Sequence, residues 1–329
     1  MITRSWKRSV TPARIRCICV VTACGLSLLL ILMIPFNHGP TPTRRSLESP
    51  YPKSVDGFEF SMPNIGVCSN SFVEIVVIVI SAVKRYEQRQ LIRGSWAQWK
   101  NDKYKVVFFM GKPGNGTSPN GLANEAETYG DIVQADFRDT YWNLTMKSVL
   151  MLRWLNEYCP DAKYAMKVDD DVYVHIPNLA NSLEETYKLH RQFFLCRVQY
   201  LSIPKRYRNS KFYVSYDEWP ETFYPNYCIG GGYSWTNSLT RRLYSFHKRF
   251  PMFRMEDVYV TGILGRAADV VHLDNHLIEA DIQSTLPNSC EFKDIISYHG
   301  LPKSRWLEMW SDLQTFKPLC RTLDFLKMI

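Results

Sequence analysis

The stretch Tyr164-Ala165-Met166-Lys167-Val168-Asp169-Asp170-Asp171-Val172-Tyr173-Val174 decides how this chain is read. A short apolar strand, Tyr164 to Val168, delivers three consecutive carboxylates, and a second apolar stretch follows. Like charges gathered at a strand end repel, so a fold that holds them together needs a compensating cation. Hard oxygen ligands suit Mg²⁺ or Mn²⁺, which keep positions open for water and substrate phosphate. Side chains alternate along a strand, so Asp169 and Asp171 point one way and Asp170 the other. That geometry predicts a D-x-D clamp on a metal-bound diphosphate. A solvated acidic turn is the competing reading of a bare Asp triplet, and the rest of the chain decides between the two.

Upstream, Val73-Glu-Ile-Val-Val-Ile-Val-Ile80 is a near-continuous β-branched run, the pattern of a strand buried on both faces. A polar-rich helical pattern covers Lys84 to Trp99, and Lys105 to Met110 is a second buried strand closed by Gly111 and Pro113. Leu122 to Tyr129 reads as a helix and Asp131 to Gln134 as a short strand. Asn143 to Tyr158 is a helix whose residues Leu144, Met151, Leu155 and Tyr158 share a face. This β-α-β-α-β order predicts an α/β fold with a Rossmann-type, mostly parallel sheet and flanking helices. Ligands of such sheets bind beyond the carboxyl ends of the strands, where the Asp triplet sits. No GxGxxG follows the first strand, so a dinucleotide cofactor is not indicated.

At the N-terminus, Cys17 to Phe36 is apolar and uncharged, long enough to span a bilayer once as a helix. Arg4, Lys7, Arg8, Arg14 and Arg16 precede it, which places the short tail in the cytoplasm and everything after the span in the lumen. Arg44 and Arg45 beyond the span weaken the asymmetry slightly. A cleaved signal peptide competes, but the apolar core is long for one and no convincing small-x-small site precedes Pro35. The expected order is a cytoplasmic tail over 1–16, a signal anchor over 17–36, a Pro- and Ser-rich stem over 37–70 and a lumenal catalytic domain over 71–329. Glycosidase digestion of sealed microsomes should shift the mass of the chain only after the membrane is opened; a shift in sealed vesicles contradicts this orientation.

The net charge of +8 is no footprint of nucleic-acid binding. The first 50 residues carry seven Lys/Arg against one Glu, so +6 lies there and +2 remains for the rest. Cys17, Cys19 and Cys24 fall in or beside the span. Cys68, Cys159, Cys196, Cys228, Cys290 and Cys320 are an even number in an oxidising space with no CxxC pair, which favours disulfides over zinc and leaves their pairing open. Asn115-Gly-Thr and Asn143-Leu-Thr are glycosylation sequons.

Six blocks in order resemble one family, the β1,3-glycosyltransferases of the galactosyltransferase type, which are Golgi type II membrane enzymes. They are Arg89-Gln-Leu-Ile-Arg93-Gly-Ser-Trp96, Val107-Phe-Phe-Met-Gly111, Tyr129 through Lys147 with its Tyr141-Trp-Asn-Leu-Thr core, Lys167 to Val174, Tyr224-Pro-Asn-Tyr227-Cys228-Ile-Gly230-Gly231-Gly232-Tyr233, and Glu256-Asp257-Val-Tyr-Val-Thr261-Gly262. The last departs from the family's E-D-V-Y-V-G by one extra residue, Thr261. The resemblance implies a GT-A fold, a UDP-sugar donor, Mn²⁺, inversion at the anomeric carbon, and a Golgi membrane location.

Each candidate residue has a bland reading beside the functional one. The resemblance places Arg89, Arg93 and Trp96 near the donor nucleotide, where a guanidinium holds phosphate and an indole packs beneath uracil; internal ion pairing and core packing compete. Lys147, one helical turn after Asn143, faces the acidic cluster or solvent. Asn143 caps its helix or carries a glycan. Asp171 is the expected metal ligand, with Asp169 reaching ribose or a metal-bound water. His299 is a candidate third ligand, in competition with His272 and His276. Tyr227, Gly231, Gly232 and Tyr233 are expected to line the acceptor, against a tight turn between two strands. The resemblance makes Asp257 the general base and leaves Glu256 to orient the acceptor, against acids that complement a helix N-terminus.

The reaction expected is inverting transfer of galactose from UDP-galactose to the 3-hydroxyl of a glycan on protein or lipid. An N-acetylglucosamine or N-acetylgalactosamine donor is the close alternative. A non-catalytic sugar-binding or chaperone-like protein on the same fold is the alternative from another class, as is a hydrolase with paired carboxylates.

Overall fold

The computed structural model describes residues 54–69, 72–114, 120–278 and 292–315. Met1–Leu47 and Glu48–Ile329 are separate units, and every described residue belongs to the second. The expected span over 17–36, the first part of the expected stem, Asn115, Cys290 and Cys320 lie outside the described residues. No described helix is long and apolar enough to cross a membrane.

Eight strands form the main sheet in the order β1-β4-β3-β2-β5-β8-β7-β9. They are β1 (Phe60–Met62), β2 (Ile75–Ile80), β3 (Tyr104–Lys112), β4 (Ile132–Arg138), β5 (Tyr164–Asp169), β7 (Phe193–Gln199), β8 (Tyr227–Thr236) and β9 (Val271–Asp274). The β4-β3-β2-β5 block is parallel throughout. β8 runs antiparallel to both β5 and β7, and β7 is parallel to β9. With β1 antiparallel to β4, only β1 and β8 oppose the common direction, so the mostly parallel expectation holds. A separate pair joins β6 (Val172–Val174) antiparallel to β10 (Ser297–His299).

The β2 run shows why the sheet lies in the middle. Ile75, Val77 and Val79 enter one apolar cluster, and Val76, Ile78 and Ile80 enter the other. All six are buried, each worth roughly 1.5–3 kcal/mol of transfer free energy. One face is covered by α3 (Leu144–Tyr158), through Val149, Leu152 and Trp154, and by α5 (Thr240–His247), through Leu243. The other is covered by α1 (Tyr86–Arg93), α2 (Asn120–Tyr129), α4 (Ile176–Leu189) and α6 (Lys303–Thr315), through Ile92, Leu122, Leu183 and Trp306. α4 starts where His175 Nδ1 accepts the Asn178 amide at 3.1 Å, with Pro177 pre-set in the first turn.

The structure revises the stem boundary. Val55 is buried in the core, β1 extends the sheet edge, and Cys68 is bonded to Cys159. Residues 54–69 are therefore folded onto the domain rather than holding it at a distance. A second disulfide joins Cys196 of β7 to Cys228 of β8, adjacent strands in the sheet.

Candidate active site

The site lies where the parallel strands end. β2 and β5 pair in register with Ile80 opposite Asp169, so Ser81 and Asp170 emerge side by side. Ser81 Oγ donates to Asp170 at 2.9 Å, and Arg85 Nη2 reaches the same carboxylate at 2.6 Å. Asp170 is thereby turned inward and neutralised. Asp170 is thus separated from its neighbours, while Asp169 ends β5 and Asp171 lies in the turn before β6, outside the strand whose alternation was expected to align the two.

Asp171 stands on the open side. The β6–β10 pairing sets His299 opposite Val172, which brings His299 Nε2 within 3.5 Å of Asp171 Oδ1. Both side chains are 53% exposed. Hydrogen bonding to His299 holds the Asp171 carboxyl below its ordinary range, against the opposing effect of burial. A carboxylate oxygen beside an imidazole is a donor set that fits Mn²⁺. Among the described residues no three such ligands cluster; a metal held by this pair would take its remaining positions from water and substrate phosphate. His272 is not available: its Nε2 lies 2.9 Å from the Thr261 carbonyl and its ring stacks on Phe194. His276 is exposed on the chain after β9.

Lys167, quoted in the motif but given no role by the sequence reading, proves to be the hub. Its buried ammonium donates to Asp169 Oδ1 at 2.7 Å and to the Gly230 carbonyl, and sits 3.6 Å from Glu256 Oε2. Burial disfavours that charge, but Asp169 and Glu256 outweigh it and hold the amine above its ordinary range. One lysine thus ties the acidic triplet to the Glu256-Asp257 pair, about 85 residues further on. The signal was a lysine inside an otherwise buried strand, which only a buried partner permits.

Glu256 is spent on this network. It is buried and accepts the Tyr233 hydroxyl at 2.7 Å, so it is a positioning group rather than one that meets an acceptor. Asp257 is only half-buried. Burial and the neighbouring Glu256 push its carboxyl up to about 7. Its Oδ1 accepts the Val258 amide at 2.9 Å, and its Oδ2 lies so close to Gly230 that a Cβ there would stand 3.1 Å away. Glycine at 230 is what lets the strand run this near the carboxylate. Val258–Leu264 winds as a π-helix, a wider turn that has room for one more residue than an α-helical one, and Thr261 lies within it. Its hydroxyl donates to the Asp257 carbonyl at 2.6 Å and accepts the Cys228 amide at 2.9 Å, locking the motif to β8.

Several expected contacts are corrected. Arg89 is 1% exposed and grips Glu125 in two bonds of 2.7 and 2.6 Å, with the Ala82 and Val83 carbonyls taking its other donors. Arg93 binds Asp131 and Glu125, and Trp96 is fully buried. These three hold α1 and α2 onto the sheet and have no face left for a nucleotide; breaking a buried pair of this kind costs about 3–5 kcal/mol. Lys147 is buried and donates to Asp139 at 2.8 Å and to the Ser81 carbonyl, so it braces the ends of β2 and β4 instead of meeting the donor. Asp139 in turn accepts the Gly111 amide at 2.9 Å. Asn143 makes no side-chain cap; its Nδ2, the atom a glycan would occupy, donates to the Arg138 carbonyl at 2.8 Å.

The glycine run is neither a turn nor a positive-φ segment: Gly231 and Gly232 lie within β8, with Gly232 opposite Val168. Tyr233 is fully buried against Lys167 and Glu256, which removes it from the acceptor wall. Tyr227 is half-buried, its hydroxyl 3.2 Å from Ser202 Oγ, and it feels the Asp257 charge.

A sugar can be moved off a nucleotide diphosphate by acidic groups that hold a cation against the diphosphate, with a further carboxylate near the acceptor, and the carboxyl end of this sheet carries both the Asp169–Asp171 cluster and the Glu256–Asp257 pair. Residues 87–276 match the galactosyltransferase family, and the chain belongs to it. Membership carries glycosyl transfer from a nucleotide-sugar donor to a glycan acceptor. Beta-1,3-galactosyltransferase 4 of Rattus norvegicus is 29% identical over 316 residues, 87% of this chain and 82% of that protein. Beta-1,3-galactosyltransferase 5 of Homo sapiens is 28% identical, covering 91% of this chain and 93% of that protein. Beta-1,3-galactosyltransferase 1 of Mus musculus is 27% identical, covering 93% and 99%. Among solved structures, a galactosyltransferase with donor and acceptor sugar analogs aligns over 75% of this chain and 99% of that one at 12% identity and a TM-score of 0.39.

Proposed function

We propose that this chain transfers galactose from UDP-galactose to the 3-hydroxyl of an acceptor glycan with inversion, leaving a β1,3 linkage. The observation that carries the reading is Asp257, a half-buried carboxylate pushed up to about 7 and linked through Glu256 and Lys167 to the Asp169–Asp171 cluster. A base whose pKa lies near neutrality is suited to accept a hydroxyl proton during attack. The names of the relatives point to galactose and to the β1,3 linkage.

In the proposed step Asp257 takes the proton of the acceptor 3-hydroxyl as that oxygen attacks the anomeric carbon. The bond from that carbon to the diphosphate oxygen breaks, and UDP departs with the electron pair. Asp171 and His299, with Asp169, would hold Mn²⁺, which supplies charge neutralisation for the departing diphosphate. Lys167 keeps Asp169 and Glu256 in place and thereby fixes the separation of the two halves of the site. A Golgi membrane anchor through residues 17–36 completes the reading.

The test is a donor panel. The full chain with Mn²⁺ and mixed acceptor glycans should use UDP-galactose with the highest kcat/KM, and methylation analysis should find 3-substituted acceptor residues. Preference for an N-acetylhexosamine donor, or linkage at another hydroxyl, contradicts it.

A further inference from the structure

The acceptor wall expected from Tyr233 is buried, yet the structure holds another pair of aromatic side chains near the base. Tyr141 and Trp142, in the turn Tyr141–Asn143 between β4 and α3, are 52% and 58% exposed. Their rings meet edge to face with centroids 5.6 Å apart. The guanidinium of Arg254, three residues before Asp257, lies 5.9 Å from the centre of the Trp142 ring. The Tyr141 phenol is raised by burial and then by the charge of Asp257, and Asp169 acts on it in the same direction. It therefore lies within electrostatic reach of both the base and the acidic cluster. Arg254 adds a second observation: its Nε and Nη2 are shielded from solvent but make no hydrogen bond, with the Glu218 carboxylate at 3.9 Å.

We propose that Tyr141 and Trp142 form the platform on which the acceptor saccharide stacks, with Arg254 donating to its hydroxyl groups. The inference rests on the transfer reading and names the subsite that reading lacks. A pyranose presents a face of C–H bonds, whose positive hydrogens suit the negative face of an aromatic ring, and a rim of hydroxyls that a guanidinium can serve. The patch fits a sugar better than a protein. Two rings offer at most about 150–250 Å² each, well short of the roughly 800 Å² per side of a stable protein interface. Stacking here would bring the saccharide to the Asp257 side of the site, where its hydroxyl must lose a proton.

The test uses the full chain as wild type, Trp142→Ala, Trp142→Phe and Tyr141→Ala, with glycans ending in β-linked galactose, N-acetylglucosamine or N-acetylgalactosamine. Trp142→Ala should raise the acceptor KM about tenfold, the equivalent of 1.4 kcal/mol, with the donor KM unchanged, and Trp142→Phe should recover most of the loss. Unchanged acceptor KM in both alanine variants, or an equal rise in donor KM, overturns the proposal. Ligand-observed NMR with the same glycans separates binding from transfer. Binding that is lost in Trp142→Ala upholds the platform even if no sugar is transferred, in which case the transfer reading alone fails. Equal binding by wild type and both alanine variants, or none by wild type, overturns the platform.

Discussion

Asp257→Asn lowers kcat by a factor of about 10²–10⁴ and leaves the KM for the UDP-sugar nearly unchanged. Asparagine keeps the size of the side chain and can still accept the Val258 amide through its oxygen, so the contact against Gly230 survives. What it loses is the ability to take the acceptor proton. The pH dependence follows from the raised carboxyl. Only the ionised form acts as a base, so kcat/KM of the wild type rises with pH up to about 7 and then levels off. The stability sign runs the other way from an ordinary carboxylate. Because the folded pKa lies above the ordinary 3.8, the fold favours the protonated form, and that contribution is lost as pH rises from about 4 through about 7. Asp257→Asn should accordingly melt no lower than the wild type above pH 7. A folded variant with wild-type kcat moves the base elsewhere.

Asp171→Ala abolishes transfer and weakens Mn²⁺-dependent UDP binding while the domain stays folded. The side chain is half exposed and pairs with the equally exposed His299, so its loss leaves no buried group stranded. Asp170→Ala should have the opposite profile. It strips the partner from Arg85 and Ser81 inside the fold, so its cost appears in the melting temperature more than in the chemical step. Calorimetric UDP titration with and without Mn²⁺, run beside thermal melts, separates the two. Metal-dependent UDP binding that survives in Asp171→Ala would remove this carboxylate from the clamp.

The parallel half of the fold was legible because its strands advertise themselves. Val73 to Ile80, Lys105 to Met110 and Tyr164 to Val168 are runs of mostly apolar residues, with Lys167 as the buried charged exception, and they appear as β2, β3 and β5 within two residues of those bounds. The other half was not. β8 enters between β5 and β7 carrying three glycines, a composition that reads as a turn until its register against Val168 and Tyr233's burial are known. Of the site, the Asp triplet drew notice because three adjacent carboxylates need an explanation, while the approach of His299 to Asp171 depends on the pairing of β6 with β10 and could not be read from a lone histidine. Arg89, Arg93 and Trp96 misled for a physical reason. A guanidinium suits a phosphate and a carboxylate equally well, and only the three-dimensional position of Glu125 and Asp131 decides which it meets. Lys167 and Glu256 were hidden likewise: their roles depend on each other, across about 90 residues of chain.

The central claim is a single in-line displacement assisted by Asp257. The most direct test is the configuration of the new glycosidic bond, read by proton NMR of the product that the full chain makes from UDP-galactose, whose donor linkage is α. The account predicts a β-linked product throughout the reaction, formed more slowly by Asp257→Asn; an α-linked product, which requires retention through a different arrangement of groups, would contradict it.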